Sequence, residues 1–144
     1  MKKYIGVKMI QAKPMNLGDY NKYRGWQMPA DEDPAKDGFL VRYEDGYESW
    51  SPLTVFDGAY RLINGMTFGL AVEALKQNKR VCRAGWNGKG MWLRIVVPGG
   101  DGKEFDMGMQ NLPYLEMKTA DNKLVPWLAS QTDVLAEDWQ VFNA

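Results

Sequence analysis

One short segment of the chain combines the residue types that a flat, anionic small molecule requires. It reads Trp86-Asn87-Gly88-Lys89-Gly90. Glycines let backbone amides approach a phosphate, lysine supplies charge, and a tryptophan face can stack on a purine, a contact worth about 1–3 kcal/mol per base. The GxxxxGK[ST] spacing of a P-loop is absent. The segment is therefore read either as a nucleotide-type binding loop or as a tight turn that carries a core tryptophan.

A second segment repeats the combination of tryptophan with polar side chains. It reads Pro126-Trp127-Leu128-Ala129-Ser130-Gln131-Thr132-Asp133. Proline restricts a strand to the edge or the end of a sheet, where pockets form. An alternative reading makes Ser130 or Thr132 the cap of a short helix at residues 133–136, and both readings can hold together. By contrast, Trp92 and Trp139 lie within strand patterns and are predicted to be core residues.

The composition argues against most hydrolytic enzymes. The chain has no histidine, so a serine or cysteine nucleophile lacks its usual base and a zinc site its usual ligands. Cys82 is the single cysteine; it cannot form an internal disulfide and is predicted to be a buried, inert thiol. Asp31-Glu32-Asp33 lies between Pro29 and Pro34, which favours a solvated loop over an acid/base pair. We predict no catalytic residue, metal ion or cofactor.

The charge balance bears on the partner. The formal net charge is zero, which argues against binding along a nucleic-acid polymer. Residues 66–100 nevertheless hold six Lys/Arg and one acidic residue, whereas residues 101–144 hold three and eight. This asymmetry predicts either a local basic site or a basic helix face balanced by an acidic hairpin.

Length and hydropathy bound the class of protein. A chain of 144 residues can form one core or two small modules that share one. It contains 45% hydrophobic and 25% charged residues, and no apolar run approaches the ~20 residues that span a bilayer. The first residues carry lysines, but no apolar segment or cleavage site follows them. We expect a cytoplasmic protein with no membrane partner.

Periodicity and turn signals place both tryptophan segments in an α+β fold of antiparallel sheet and short helices. In the N-terminal part the patterns predict a strand at 4–12, a helix at 17–23, a hairpin of 38–43 and 47–50 around Asp45-Gly46, and a helix from Ser51-Pro52 to about Leu62. In the C-terminal part they predict a helix capped by Thr67, strands at 91–97, 115–119, 124–127 and 139–142, and a turn at 121–123. We expect an N-terminal helix-hairpin-helix extension, residues 1–62, packed on a helix-plus-sheet module, residues 66–144.

Several motifs in the C-terminal module carry a family resemblance. They are residues 66–75 (MTFGLAVEAL), 83–91 (RAGWNGKGM), 118–123 (KTADNK), 126–133 (PWLASQTD) and 136–139 (AEDW). In this order they closely resemble the phage type-two Thoeris anti-defence sponges. Several multi-residue motifs in sequence are far more specific than one glycine pattern.

The resemblance implies a homotetrameric, non-enzymatic binder of glycocyclic ADP-ribose, the signal of TIR-domain proteins in Thoeris defence, acting in the host bacterial cytoplasm. Some members of the family also look able to bind cyclic dinucleotides at separate sites. Carried over to this chain, Trp86 and Trp127 would supply stacking faces, and Gly88 would lie in the binding loop. The polar contacts would be Asn87, Lys89, Thr119, Ser130 and Asp133.

The N-terminal residues resemble a module of other small phage proteins. The motifs are Tyr20-Asn21-Lys22-Tyr23-Arg24-Gly25-Trp26 and Tyr47-Glu48-Ser49-Trp50-Ser51-Pro52. No established activity comes with this resemblance, so the function of the extension is open: Tyr23, Arg24 and Trp26 form either a second recognition surface or part of a helix packed on its own hairpin. Two other functions compete with the sponge: an enzyme that cleaves the signal with Asp133 or Asp138 as general base, and a phage protein-interaction module that uses exposed aromatic residues.

Overall fold

The computed structural model describes residues 1–98 and 112–143. The chain divides into two compact units, Met1–Arg61 and Leu62–Ala144. Short helices and antiparallel sheets confirm the α+β class. The first unit contains β1 (Gln11–Pro14), α1 (Leu17–Arg24), β2 (Gly38–Arg42), β3 (Glu48–Pro52) and α2 (Leu53–Ala59). The described part of the second contains α3 (Phe68–Lys76), β4 (Val81–Arg83), β5 (Trp92–Val96), β6 (Tyr114–Lys118), β7 (Leu124–Pro126), α4 (Gln131–Leu135) and β8 (Trp139–Val141).

The first unit is a three-stranded antiparallel sheet in the order β1-β2-β3. The predicted hairpin is confirmed: β2 and β3 pair from Gly38 opposite Pro52 to Arg42 opposite Glu48. Its connection includes Gly46 at a φ of 87°, a backbone conformation that glycine adopts without strain. Helix α1 also follows its signals, since Asn16 caps its first turn and the left-handed Gly25 ends it.

Two predictions for the first unit were wrong in their bounds. The strand predicted at 4–12 lies instead at Gln11–Pro14, whose four residues pair with residues 39–42 of β2. Helix α1, the β2–β3 hairpin and helix α2 follow one another along the chain, and β1 adds an edge strand to the hairpin. Helix α2 begins after Pro52, which occupies the cap position without a side-chain cap, and ends at Ala59 rather than near Leu62.

The second unit is a five-stranded antiparallel sheet in the order β7-β6-β5-β4-β8, against which helix α3 packs. The predicted cap of α3 is confirmed, since Thr67 Oγ1 accepts from the Leu70 amide. Strand β7 is an edge strand that ends at Pro126, as its proline indicated. Strand β4 was not predicted; it is three residues long and pairs with both β5 and β8. The buried residues between α3 and the sheet include Ala71, Leu75, Val81, Leu93 and Trp139.

Candidate functional site

Four aromatic rings from distant parts of the second unit form one cluster, which we call the tryptophan cluster. Its members are Phe68, Trp86, Trp127 and Trp139. The three tryptophans are mutually edge-on, with ring centroids 5.4 to 6.2 Å apart. Phe68, the first residue of α3, lies 5.4 Å from Trp139 and 6.3 Å from Trp127. Edge-to-face packing of this kind is favourable beyond the area it buries.

Trp139 is the base of the cluster. Its side chain is 0% exposed, as predicted for a core residue, and its indole N–H donates to the Asp133 carbonyl at 2.8 Å. Its backbone exchanges hydrogen bonds with Met66, just before α3. Trp92, also predicted to be in the core, is buried, and the Arg80 guanidinium lies 4.4 Å from its ring centroid.

Trp86 and Trp127 keep part of their rings accessible. Both are half-buried, whereas Trp139 between them is sealed from solvent. The Trp86 indole N–H donates to Asp133 Oδ1 at 3.2 Å, and the Trp127 backbone N–H donates to the Leu115 carbonyl at 2.9 Å. These contacts hold two partly exposed aromatic faces in fixed positions, which is what stacking on a flat ligand requires.

A network of charges centred on Arg83 supports Trp86. Arg83 Nη1 lies 2.9 Å from Asp133 Oδ1, and its Nε lies 2.8 Å from Asp138 Oδ1. Asp138 Oδ2 accepts from the Gly85 amide at 2.7 Å. One guanidinium therefore ties β4 to α4 and to the start of β8. Asp138 thereby binds both neighbours of Ala84 in sequence, namely Arg83 and Gly85.

Both oxygens of Asp133 are occupied. Oδ1 accepts from Arg83 and Trp86, while Oδ2 accepts from the Ser130 hydroxyl at 2.7 Å and from the Ser130 amide at 3.2 Å. Burial acts to raise the pKa of this carboxyl, but the hydrogen bonds from Arg83, Ser130 and Trp86 outweigh it and lower the pKa from 3.8 to about 2. The hydrogen bond from Arg83 likewise lowers the pKa of Asp138. Both groups are ionised near neutral pH.

The loop that carries Trp86 contains three glycines that lie close to other groups. A Cβ on Gly85 would lie 2.8 Å from Asp138 Oδ2. A Cβ on Gly88 would overlap the Met91 sulfur and lie 3.0 Å from Ala120 Cβ. Gly90 has a φ of 70°, and its carbonyl accepts from Lys118 Nζ at 3.0 Å. The loop is thereby fixed against the turn between β6 and β7, and glycine is what permits the close approach.

The predicted polar contacts have different surroundings. Asn87 and Lys89 are exposed, and neither side chain has a hydrogen bond or ion pair with any other described residue. The Thr119 hydroxyl lies 2.6 Å from Asp121 Oδ1 and accepts from the Lys123 amide at 3.0 Å, within the β6–β7 turn. Ser130 is the N-cap of α4 and forms a reciprocal capping box with Asp133. The capping alternative for Ser130 is therefore confirmed.

The structure brings Trp86, Trp127, Ser130 and Asp133 into one network, with Gly88 beside Ala120 next to Thr119. The sequence predicted no role in the site for Arg83, Phe68 or Lys118, although Phe68 was expected on the apolar face of the helix after Thr67. Arg83 lies inside the motif of residues 83–91, but the two carboxylates that it binds are 50 and 55 residues away in sequence. Only the tertiary structure shows that pairing. Within the described residues no group of three or more His, Cys, Asp or Glu side chains is arranged to hold a metal ion.

Comparison with known proteins identifies the family of the C-terminal residues. The model of the Tad2-like family, described as the Thoeris anti-defense 2-like domain, matches residues 66–142. The chain belongs to this family. It is 46% identical over 85 residues to Thoeris anti-defense 2 of Bacillus phage SP01, an alignment that covers 54% of this chain and 96% of the relative.

Membership of the Tad2-like family supports an anti-defence role. The matched residues contain the whole tryptophan cluster, the Arg83 network and the three glycines of the Trp86 loop. No helix among the described residues has the length and apolar character that crossing a bilayer would need.

Proposed function

We propose that this protein binds and sequesters a cyclic nucleotide immune signal, without converting it, on the surface formed by Trp86 and Trp127. The ligand proposed first is glycocyclic ADP-ribose, with cyclic dinucleotides as a second class. Such binding would prevent activation of Thoeris effectors, and of CBASS-type effectors in the case of cyclic dinucleotides. Membership of the family supports the anti-defence part of this proposal.

The observation that carries the proposal is the pair of partly exposed indoles on a buried aromatic base. The ring centroids of Trp86 and Trp127 are 6.2 Å apart, and both rings rest on Trp139. A purine that stacks on either face gains about 1–3 kcal/mol, and little ordering remains to be done because the rings are already fixed.

The charges near the loop suit an anionic ligand. Lys89 lies in the loop and Lys118 reaches its carbonyl at Gly90, so two cations flank a glycine-rich backbone. Arg83, by contrast, is paired with Asp133 and Asp138 and is not available for a phosphate. Lysine acts as a point charge on a flexible stem, which suits recognition of a phosphate without bidentate geometry.

The state of the carboxylates favours binding over cleavage. A general base works best with a pKa near the operating pH, whereas Asp133 has a pKa of about 2 and both its oxygens already accept hydrogen bonds. The pKa of Asp138 is also lowered by Arg83. These groups position Trp86, and their proton affinity is poorly matched to catalysis at neutral pH.

We extend the proposal to a homotetramer in the host cytoplasm, with the ligand pockets between subunits. Apolar side chains beside Trp127 and on α4 support the assembly, since Leu128 is 91% exposed and Leu135 is 77% exposed. Large exposed apolar residues that adjoin a candidate site are typical of surfaces covered by another chain.

Recovery of the bound molecule tests sequestration against cleavage. The protein is mixed with glycocyclic ADP-ribose, freed of unbound nucleotide by gel filtration, denatured and analysed by mass spectrometry. We expect the intact cyclic nucleotide in amounts that match the protein. A ring-opened product would show cleavage and refute sequestration, and an empty protein would refute binding of this ligand.

A thermal-shift series distinguishes the two ligand classes. A nucleotide at 100 times its dissociation constant stabilises the folded protein by about 2.7 kcal/mol. We expect such a shift with glycocyclic ADP-ribose, and a further one when a cyclic dinucleotide is added to the saturated protein if the two classes use separate sites. A flat response to both classes would favour a protein-interaction module.

A further inference from the structure

The N-terminal unit contains a cavity of about 350 Å³ to which no role has been given. Its walls include three aromatic rings, Tyr20, Trp26 and Trp50, and its polar lining residues are Asn21 and Glu32. Small-molecule sites are typically concave and mostly apolar, with a few polar groups. The cavity has this character and lies within one unit, so its role does not rest on the function proposed for the tryptophan cluster.

The aromatic walls are held in place by the ends of α1 and by β3. The Trp50 indole N–H donates to the Met15 carbonyl at 2.7 Å. The left-handed Gly25 reverses the chain after α1, and the Trp26 amide then donates to the Asn21 carbonyl at 2.8 Å. This reversal sets Trp26 edge-on to Tyr20, with ring centroids 5.9 Å apart. The walls exist before any ligand binds.

Asn21 is the polar group that the fold does not explain. It is 7% exposed within helix α1, although asparagine is a poor helix former and burial of an amide is costly. Its Nδ2 donates to the Leu17 carbonyl at 2.8 Å, which fixes the orientation of the amide. Within the described chain its Oδ1 accepts no hydrogen bond, and this atom is not sealed from solvent. An acceptor is therefore open to an incoming donor.

The charge of the lining is negative. Glu32 is the charged lining residue, and Asp31 and Asp33 flank it in sequence. No lining residue is basic. Arg24 does not line the cavity, but its guanidinium lies 4.8 Å from the Trp26 ring centroid and 5.8 Å from that of Tyr20, so these rings already contact one guanidinium of the chain. The lining residues also carry donors, in the Tyr20 hydroxyl and the Trp26 indole N–H, but the carboxylate, the amide oxygen and the π-faces together complement a cation that bears N–H donors.

We propose that this cavity binds a guanidinium group, such as the side chain of arginine. A guanidinium is planar and stacks on aromatic faces, and its fixed N–H donors can reach a carboxylate and a carbonyl oxygen together. Trp26 and Trp50 supply the faces, Glu32 the countercharge, and Asn21 Oδ1 the second acceptor. The source of the group is either a free small molecule or a side chain of a protein partner.

The test uses the full chain labelled with ¹⁵N and observed by NMR. The probe is N-acetyl-arginine amide, and its matched control is N-acetyl-citrulline amide, which has nearly the same shape and no charge. We expect saturable shifts of the Trp26 and Trp50 indole signals and of the Asn21 side-chain amide with the arginine compound, and none with citrulline. Equal responses to both compounds, or none to either, would overturn the proposal.

A pair of variants tests the countercharge. Glu32→Gln should weaken binding of the arginine compound by about tenfold, the loss expected when a charge-assisted hydrogen bond becomes a neutral one. Glu44→Gln makes the same change on the exposed hairpin loop outside the cavity and should leave affinity unchanged. The proposal fails if Glu32→Gln binds like the original protein. Tighter binding of a Gly-Arg-Gly peptide than of the amide would identify a protein side chain as the ligand, and equal binding a free small molecule.

Discussion

The three tryptophans of the cluster differ in what their neighbours leave open. Trp139 is enclosed and has its indole N–H bonded to a backbone carbonyl, so it contributes to stability. Trp86 and Trp127 lie on it with part of each ring in solvent. The sequence distinguished these roles, because Trp139 lies in an alternating strand whereas the other two adjoin glycines or polar residues. The residue types next to a tryptophan in sequence indicate whether it is buried, but they do not indicate which atoms it contacts.

Truncation of the buried base should cost stability. We expect Trp139→Ala to lower the free energy of unfolding by about 3–5 kcal/mol, because it removes a fully buried indole and leaves a cavity. Chemical denaturation measures this loss. Tyr4→Ala, which truncates an exposed aromatic residue, should change stability by no more than about 0.5 kcal/mol. A similar small effect at Trp139 would show that it is not the core of the unit.

Truncation of Trp86 or Trp127 should cost affinity. We expect Trp86→Ala and Trp127→Ala each to weaken binding of glycocyclic ADP-ribose by about 1–3 kcal/mol, the value of a lost stacking partner. Calorimetric titration beside thermal unfolding separates affinity from folding. Tyr47→Ala, an exposed aromatic residue of the first unit, serves as the control. If the variants lose stability but bind the nucleotide normally when folded, the assignment of both indoles to the binding site is wrong.

The Arg83 network should make stability depend on acid pH through Asp133. Because the pKa of this carboxyl is about 2 in the folded protein and near 3.8 when unfolded, ionised Asp133 stabilises the fold above pH 4. That contribution, on the order of 2 kcal/mol, is lost as the pH falls from about 4 to 2. Asp133→Asn should therefore be destabilised at pH 7, and its difference from the original protein should shrink across this range in urea titrations. A difference that is constant with pH would contradict this account.

At the scale of elements, the sequence predicted the features that depend on residue types at helix caps, turns and strand ends. The cap at Thr67, the end of α1 at Gly25, the β2–β3 hairpin and the edge position of β7 follow from residue types at turns and caps. Strand β4 was missed because three residues carry too little pattern, and its pairing with β5 and β8 is set by tertiary contacts. The strand predicted at 4–12 lies at Gln11–Pro14, because its position is set by the register with β2, which alternation within one segment does not report.

The same distinction holds for the candidate site. Motif composition pointed to both tryptophans, but the Arg83 ion pairs join residues 50 and 55 positions apart, and no local pattern reports them. Ser130 had two possible roles in the sequence, ligand contact and helix cap, and its hydroxyl is shown to serve the cap. A contribution of Ser130 to the ligand stays a prediction.

The cap of α4 gives a prediction at this scale. Ser130→Ala removes the acceptor for the Asp133 amide and the hydroxyl donor to the carboxylate. We expect a loss of about 0.5–2 kcal/mol in unfolding free energy, because the first turn of α4 is left uncapped. Ser130→Thr keeps the hydroxyl and should recover most of the loss. If neither substitution changes unfolding in denaturant, the capping box does not stabilise this unit.

At the scale of the whole molecule, each unit contains its own candidate binding site. The tryptophan cluster lies within the residues matched by the family, which begin at Met66, whereas the aromatic cavity lies within Met1–Arg61. The relative from Bacillus phage SP01 aligns with only 54% of this chain. Part of the positive charge of residues 66–100 is neutralised within the fold, since Arg83 and Arg94 form ion pairs with acidic residues. Lys89 then stands as the exposed cation of the Trp86 loop.

Assembly is the last property to test, because it determines where a ligand would be enclosed. Trp86 and Trp127 are only half-buried in one chain, while Leu128, which follows Trp127, is 91% exposed and Leu135 on α4 is 77% exposed. A second chain over this face would cover both the apolar residues and a nucleotide on the indoles. We expect light scattering at micromolar concentration to give four times the 16.4 kDa chain mass. Leu128→Asp should yield smaller species with weakened nucleotide binding, while Ile5→Asp, an equally exposed position in the first unit, should yield neither effect. A monomer that binds one nucleotide per chain would refute both the tetramer and the shared pocket.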